Sequence, residues 1–195
     1  MALKQSVDVM TAEEYLAGEE IAEIKHEFID GEIYAMSGAS KNHQRISGNI
    51  FRKIGNFLEG SPCEPFSSDV KVKVGSDFFY PDAMVVCDDQ TEHDYYTETP
   101  TIIVEVLSKS TRRYDATIKR TAYQSIPTLQ EYILIEQDFV DVEVSRKKDE
   151  WCSKHYLLGE SLILESIGIT IKVEELYQRV KNEDTREFLI NRDEP

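Results

Sequence analysis

A single carboxylate interrupts an otherwise apolar run, Ile102-Ile103-Val104-Glu105-Val106-Leu107. The run is short and largely β-branched, which predicts a strand buried on both faces. An isolated carboxylate there is costly unless a cation or hydrogen-bond donors compensate it. A second acid, Asp82, stands at the start of another apolar run, in Tyr80-Pro81-Asp82-Ala83-Met84-Val85-Val86. Downstream, Asp115, Lys119 and Tyr123 recur at i, i+4 and i+8, which sets them on one stripe of a helix. Two acids on neighbouring strands with a lysine nearby suggest a divalent-metal site. Mg²⁺, or Mn²⁺ in its place, takes one or two carboxylates and completes its shell with waters and substrate phosphate. Asp82 and Glu105 are the expected ligands, with the Val106 carbonyl as a third. Such a metal acidifies a water and clamps a phosphate, and Lys119 would stabilise the charge that develops.

Each residue also has a plainer reading. Pro-Asp is a common turn pair, and Glu105 could be the half of a structural ion pair. Asp115 and Lys119 could form an ordinary surface pair. Tyr123 suits core packing, Glu27 suits a solvated hairpin, and His43 suits the first turn of a helix.

Holding Asp82, Glu105 and Lys119 together requires a sheet with flanking helices. Thr11-Ala12-Glu13-Glu14 predicts a capped helix running to about residue 24. Asp30-Gly31, between apolar stretches 26–29 and 32–36, predicts a hairpin with a type I′ turn. Ile46, Ile50, Ile54, Phe57 and Leu58 have helical spacing over 42–58. Strands are expected over 64–74 and 78–87, then an acidic loop to Thr99 and the glutamate strand. A helix over 111–124 ends at Ile126-Pro127. Strands over 131–136, 139–146 and 151–158, a strand or turn over 162–171 and a short helix over 173–180 follow. The charged tail, 182–195, reads as frayed. The connection from the glutamate strand through the helix to 131–136 is a βαβ crossover, which pairs the two strands in parallel. The expected class is α/β, a mixed sheet with helices packed on it, in one domain spanning 1–195.

The formal charge of −15 opposes nucleic-acid binding at first sight, but its distribution is uneven. Residues 1–40 hold nine acids and two bases, whereas 41–55 hold four bases and no acid. Residues 105–120 hold five bases against two acids. Lys41, His43, Arg45, Arg112 and Arg113 are therefore the weak candidates for phosphate contacts. The odd set Cys63, Cys87 and Cys152 lacks CxxC spacing and reads as reduced thiols, which suits the cytoplasm. No apolar stretch approaches the roughly 20 residues of a membrane span.

The order of elements and the segments Tyr80-Pro81-Asp82, Val104 to Asp115, Lys119, Tyr123 and Pro127 to Tyr132 resemble the PD-(D/E)XK nuclease superfamily. Its core runs α-β-β-β-α-β. More narrowly, with the Glu27 to Ser37 hairpin and His43, the chain resembles the Uma-two family of restriction-endonuclease-like proteins over roughly 11–180. The resemblance implies Mg²⁺-dependent hydrolysis of DNA, with Asp82 and Glu105 as metal ligands. Glu27, Asp115, Lys109 and Tyr123 are the auxiliary candidates. A homodimer is expected, since nucleases that cut both strands often pair and the strands over 139–158 offer an exposed edge. The superfamily's lysine normally follows the acid by two residues, and here that residue is Leu107. The resemblance therefore moves the role to Lys119, with Lys109 as competitor. The alternative is a catalytically inactive nuclease fold that serves as a binding or assembly module.

Overall fold

The computed structural model describes residues 10–89, 91 and 93–193, the last three without their side chains. Helix α1 (Ala12–Glu19) opens on Thr11, whose hydroxyl accepts from the Glu14 N–H while the Glu14 carboxylate accepts from the Thr11 N–H. It ends before residue 24, because beyond Tyr15 and Leu16 its side chains do not reach the core and Ile21 and Ile24 are exposed. Strands β1 (His26–Ile29) and β2 (Glu32–Ala35) form the expected hairpin. Asp30 and Gly31 take φ of 51° and 83°, as a type I′ turn demands.

Helix α2 (Lys41–Leu58) buries Ile46, Ile50, Ile54 and Leu58 along one stripe. The chain then alternates between two sheets. The stretch expected as one strand over 64–74 is two, β3 (Glu64–Ser67) and β4 (Lys71–Val74). The stretch 78–87 likewise divides into β5 (Asp77–Phe79) and β6 (Ala83–Val86). β4 and β5 join the hairpin and β7 (Tyr96–Thr97) in a sheet of order β2-β1-β5-β4-β7. β3 and β6 belong to the main sheet with β8 (Pro100–Leu107), β9 (Glu131–Glu136), β10 (Val142–Arg146) and β11 (Ser153–Tyr156), in the order β11-β10-β9-β8-β6-β3. Tyr80-Pro81-Asp82 is thus the crossing from one sheet to the other. β8 and β9 are parallel, as the crossover requires. The sequence α2, β3, β6, β8, helix, β9 reproduces the α-β-β-β-α-β core.

Alternation along β8 divides the core into two layers. Val104 and Val106 pack with α2, and Ile103 and Leu107 pack with Tyr123, Tyr132 and Leu134 on the opposite face. Glu105 shares the face of Ile103 and Leu107. The crossover helix consists of α3 (Arg112–Tyr114), a π-helical segment Asp115–Lys119 and α4 (Arg120–Gln124). In the π segment the Arg120 N–H reaches back to the Asp115 carbonyl, which also accepts from the Tyr132 hydroxyl at 3.0 Å. Region 162–171 is a hairpin, β12 (Ser161–Leu164) and β13 (Ile169–Lys172). The buried Glu131–Arg146 pair, 2.9 Å, ties it to the main sheet, because Ser166 also bonds Glu131 and the Arg146 guanidinium donates to the Ile163 carbonyl.

Two further expectations fail. Helix α5 (Val173–Leu176) is short, but the tail is not frayed over its length: α6 (Glu183–Asp193) follows, anchored by Asp184 accepting from the Val140 N–H at 2.6 Å. Cys63 and Cys87 are not reduced thiols but form a disulfide, and Cys152 remains free and exposed. The β3–β6 register pairs Glu64 with Val86, which sets the flanking cysteines opposite each other. The odd cysteine count therefore does not speak for a reducing compartment. At a sequence separation of 24, the chain-entropy model assigns this bond about 3 kcal/mol. Cys63→Ser should lower the urea-unfolding free energy by about that amount relative to the oxidised protein; an unchanged midpoint would show that the bond does not form in solution. Among the described residues no helix is long and apolar enough to cross a membrane.

Candidate active site

Asp82, Glu105 and Lys119 come together where the two sheets meet. β6 pairs antiparallel with β8, Ala83 opposite Val104, so Asp82 stands abreast of Glu105 one residue further on. Continuing that register would set Pro81 against Val106. Proline has no N–H, so the ladder ends there. The Val106 N–H instead donates to Asp82 Oδ2 at 2.7 Å. A residue's N–H and C=O point to the same side of a strand, so the Val106 carbonyl also faces this end of the sheet without a ladder donor from proline.

Lys119 is 5% exposed, far from the surface lysine of the plain reading. The π segment aims its amine at three carboxylates: Glu27 Oε1 at 2.8 Å, Glu105 Oε1 at 3.0 Å and Asp115 Oδ1 at 3.5 Å. The Tyr123 hydroxyl donates to Glu105 Oε1 at 3.0 Å, while its ring packs edge-on against Phe79 and Tyr132. Tyr123 therefore packs in the core and also contacts Glu105. Glu27 is buried rather than solvated, and its Oε1 also accepts from the Tyr80 N–H at 3.0 Å. The second sheet thus supplies a site residue directly, from 78 positions before Glu105 in the chain.

His43 reaches the site from the first turn of α2. Its backbone N–H is capped by Ser40, and its Nε2 lies 3.2 Å from Asp82 Oδ2. Burial opposes a charge on this imidazole, but the hydrogen bond and charge of Asp82 outweigh it and raise the pKa. That pairing has no sequence signal beyond the position of His43 at a helix start. Lys109 lies exposed in the turn after β8 and makes no ion pair with Glu105, whereas the Lys119 amine does. Of the weak phosphate candidates, Arg112 is committed to Glu136 and Asp138, and Arg45 bonds Asn42. Lys41 and Arg113 are exposed on the flanking helices.

The charge balance of the cluster is one-sided. Burial, and then the neighbouring carboxylates Asp115, Asp82 and Glu27, push the Glu105 carboxyl well above its ordinary range against the opposing pull of Lys119. Asp115 is raised in the same way, by burial first and then by Asp82 and Glu27. Lys119 stays charged: burial disfavours its ammonium, but Glu105, Glu27 and Asp115 together outweigh that. Three carboxylates thus face one ammonium, and a fourth, Asp82, pairs with the His43 imidazole. A hard divalent cation fits that surplus of oxygen donors. Among the described residues no three His, Cys, Asp or Glu side chains form a ready-made metal cage.

The model of the family described as "Putative restriction endonuclease", Uma2, matches residues 12–174. The chain belongs to the Uma2 family. Among its relatives is the uncharacterized protein slr1290 of Synechocystis sp. strain PCC 6803, 38% identical over 175 residues, which are 87% of this chain and 92% of the relative. The uncharacterized protein sll1609 of the same strain is 37% identical over 172 residues, 85% of this chain and 97% of the relative. A crystal structure titled as a "putative nuclease belonging to DUF820" from Anabaena variabilis superposes with a TM-score of 0.72 at 17% identity. It covers 88% of this chain and 99% of that one. At that identity the likeness speaks for the fold alone, and the fold is restriction endonuclease-like. In this Uma2 chain the position two residues after the acid is Leu107, buried among apolar neighbours, and the amine at Glu105 comes from the crossover helix.

Proposed function

We propose that this Uma2 protein is a Mg²⁺- or Mn²⁺-dependent endonuclease that hydrolyses DNA phosphodiester bonds. The observation that carries the reading is the Lys119 amine at 3.0 Å from Glu105, with Asp82 abreast of Glu105 at the same strand end. Asp82, Glu105 and the Val106 carbonyl would hold the metal. When bound, the metal acidifies a water and polarises the phosphate.

The protein's own residues have separable tasks. The Val106 N–H and His43 hold Oδ2 of Asp82 and leave Oδ1 for the ligand. Tyr123 and Lys119 fix the rotamer of Glu105 from two sides. Glu27 and Asp115 hold the Lys119 amine beside the carboxylates, where negative charge develops on the phosphate. Lys41 and Arg113, exposed on the flanking helices, would meet the DNA backbone. A homodimer, one site for each strand, goes with this reading. Purified protein with Mg²⁺ or Mn²⁺ should nick supercoiled plasmid, and chelation should stop it.

A second reading, an inactive nuclease fold used as a binding or assembly module, draws support from Leu107 and from the engagement of Arg112 by Glu136 and Asp138. Absence of nicking under any divalent cation would favour it.

A further inference from the structure

Tyr114 brings a fourth kind of group to the cluster, a hydroxyl with no hydrogen-bond partner. Buried tyrosine hydroxyls are normally bonded. Around this site Tyr123 donates to Glu105, Tyr132 to the Asp115 carbonyl, Tyr80 to Glu19 and Tyr15 to the His26 carbonyl. The Tyr114 hydroxyl is shielded from solvent and, among the described residues, bonds to nothing. Its ring lies 5.8 Å from the Lys119 amine. The charges of Glu27, Lys119 and Asp115 act on its oxygen, as does the hydroxyl of Tyr34, which stands opposite Glu27 in the β1–β2 register. Burial first, and then the Glu27 charge, push its pKa up, so it remains an O–H donor at neutral pH.

The chemistry of the cluster says what this donor would meet. Acceptors are in surplus there, since three carboxylates crowd one ammonium and a fourth, Asp82, stands abreast of Glu105. The three N–H groups of that ammonium are matched by three carboxylates. Among the described residues the other buried polar atoms without a partner are His43 Nδ1, behind Asp82, and Arg120 Nε; of the three, the Tyr114 hydroxyl is the one beside the Lys119 amine that an anionic phosphate would approach.

We propose that Tyr114 donates a hydrogen bond to a non-bridging oxygen of the phosphodiester bound beside Asp82, Glu105 and Lys119, and so is a further catalytic residue. This rests on the nuclease reading above. The proton stays on the tyrosine oxygen throughout. The bond orients the phosphate and stabilises the charge that grows on its oxygens as water attacks.

Tyr114→Phe tests the assignment in two measurements. Without ligand, the variant should melt at or above the temperature of the native protein, because it removes a buried hydroxyl that makes no bond. In plasmid nicking with Mg²⁺, its kcat should fall roughly ten- to a hundredfold, the worth of a hydrogen bond to a charged group, with KM nearly unchanged. Nicking within about twofold of the native rate would overturn the role of Tyr114 and leave the nuclease reading intact. A melting temperature several degrees lower would overturn it too, by showing that the hydroxyl holds a structural bond. If the native protein neither nicks plasmid nor binds a short oligodeoxynucleotide in Ca²⁺, the nuclease reading itself fails and the proposal with it.

Discussion

Lys119→Met should cost about 3–5 kcal/mol of folding stability, the usual penalty for removing one partner of a buried ion pair. The methionine fills the space of the lysine stem, so packing changes little. What is lost is the cation that Glu27, Glu105 and Asp115 share. The sign of the pH dependence follows from the carboxyls. Glu105 and Asp115 have folded-state pKa values raised above their unfolded ones. The stability such groups contribute is complete below their unfolded pKa, about 4, and is lost as pH rises through the folded value. Without Lys119 those values rise further. The deficit of Lys119→Met should therefore be largest at neutral pH and shrink as the pH is lowered toward 5. Urea unfolding of both proteins across that range measures it. A deficit below about 1 kcal/mol at neutral pH would place Lys119 among ordinary surface lysines.

Asp82→Ala and Glu105→Ala should each reduce Mg²⁺-dependent nicking by about a thousandfold or more, because metal clamping of the phosphate supplies several kcal/mol at the transition state. Their stabilities should diverge. Asp82 is partly exposed and bonds the end of a strand, so its loss frees the Val106 N–H and His43. Glu105 is a raised, buried carboxyl, and Glu105→Gln should fold at least as firmly as the native protein at neutral pH while losing activity. Stability held or gained together with lost turnover separates a functional carboxylate from a structural one. Nicking that survives both alanine substitutions would remove the chemistry from this strand end.

The parts of the site that rest on local periodicity were legible from the chain. Glu105 inside an apolar run, the 115/119/123 stripe and helix α2 each follow from spacing alone. The division of 64–74 and 78–87 between two sheets was not, because Val70 and Phe78-Phe79 continue an apolar alternation that does not say which sheet it serves. Glu27 was read as solvated for a related reason: its burial depends on β5 pairing beside it and on Lys119 arriving from the crossover helix. The Cys63–Cys87 bond depends on the β3–β6 register, which spacing in the sequence does not reveal. The tail helix Glu183–Asp193 carries almost no apolar stripe, so periodicity had nothing to report there. The π segment was also invisible, since a single i→i+5 turn has no composition signal of its own.

The claim on which the rest depends is that Asp82 and Glu105 hold a divalent cation. Calorimetric titration of the native protein with Mn²⁺, repeated on Asp82→Asn and Glu105→Gln, tests it without reference to any nucleic acid. A saturable heat with one ion bound per active site, abolished by either substitution, is the expected result. No heat at millimolar metal, or an unchanged isotherm in both variants, would contradict it.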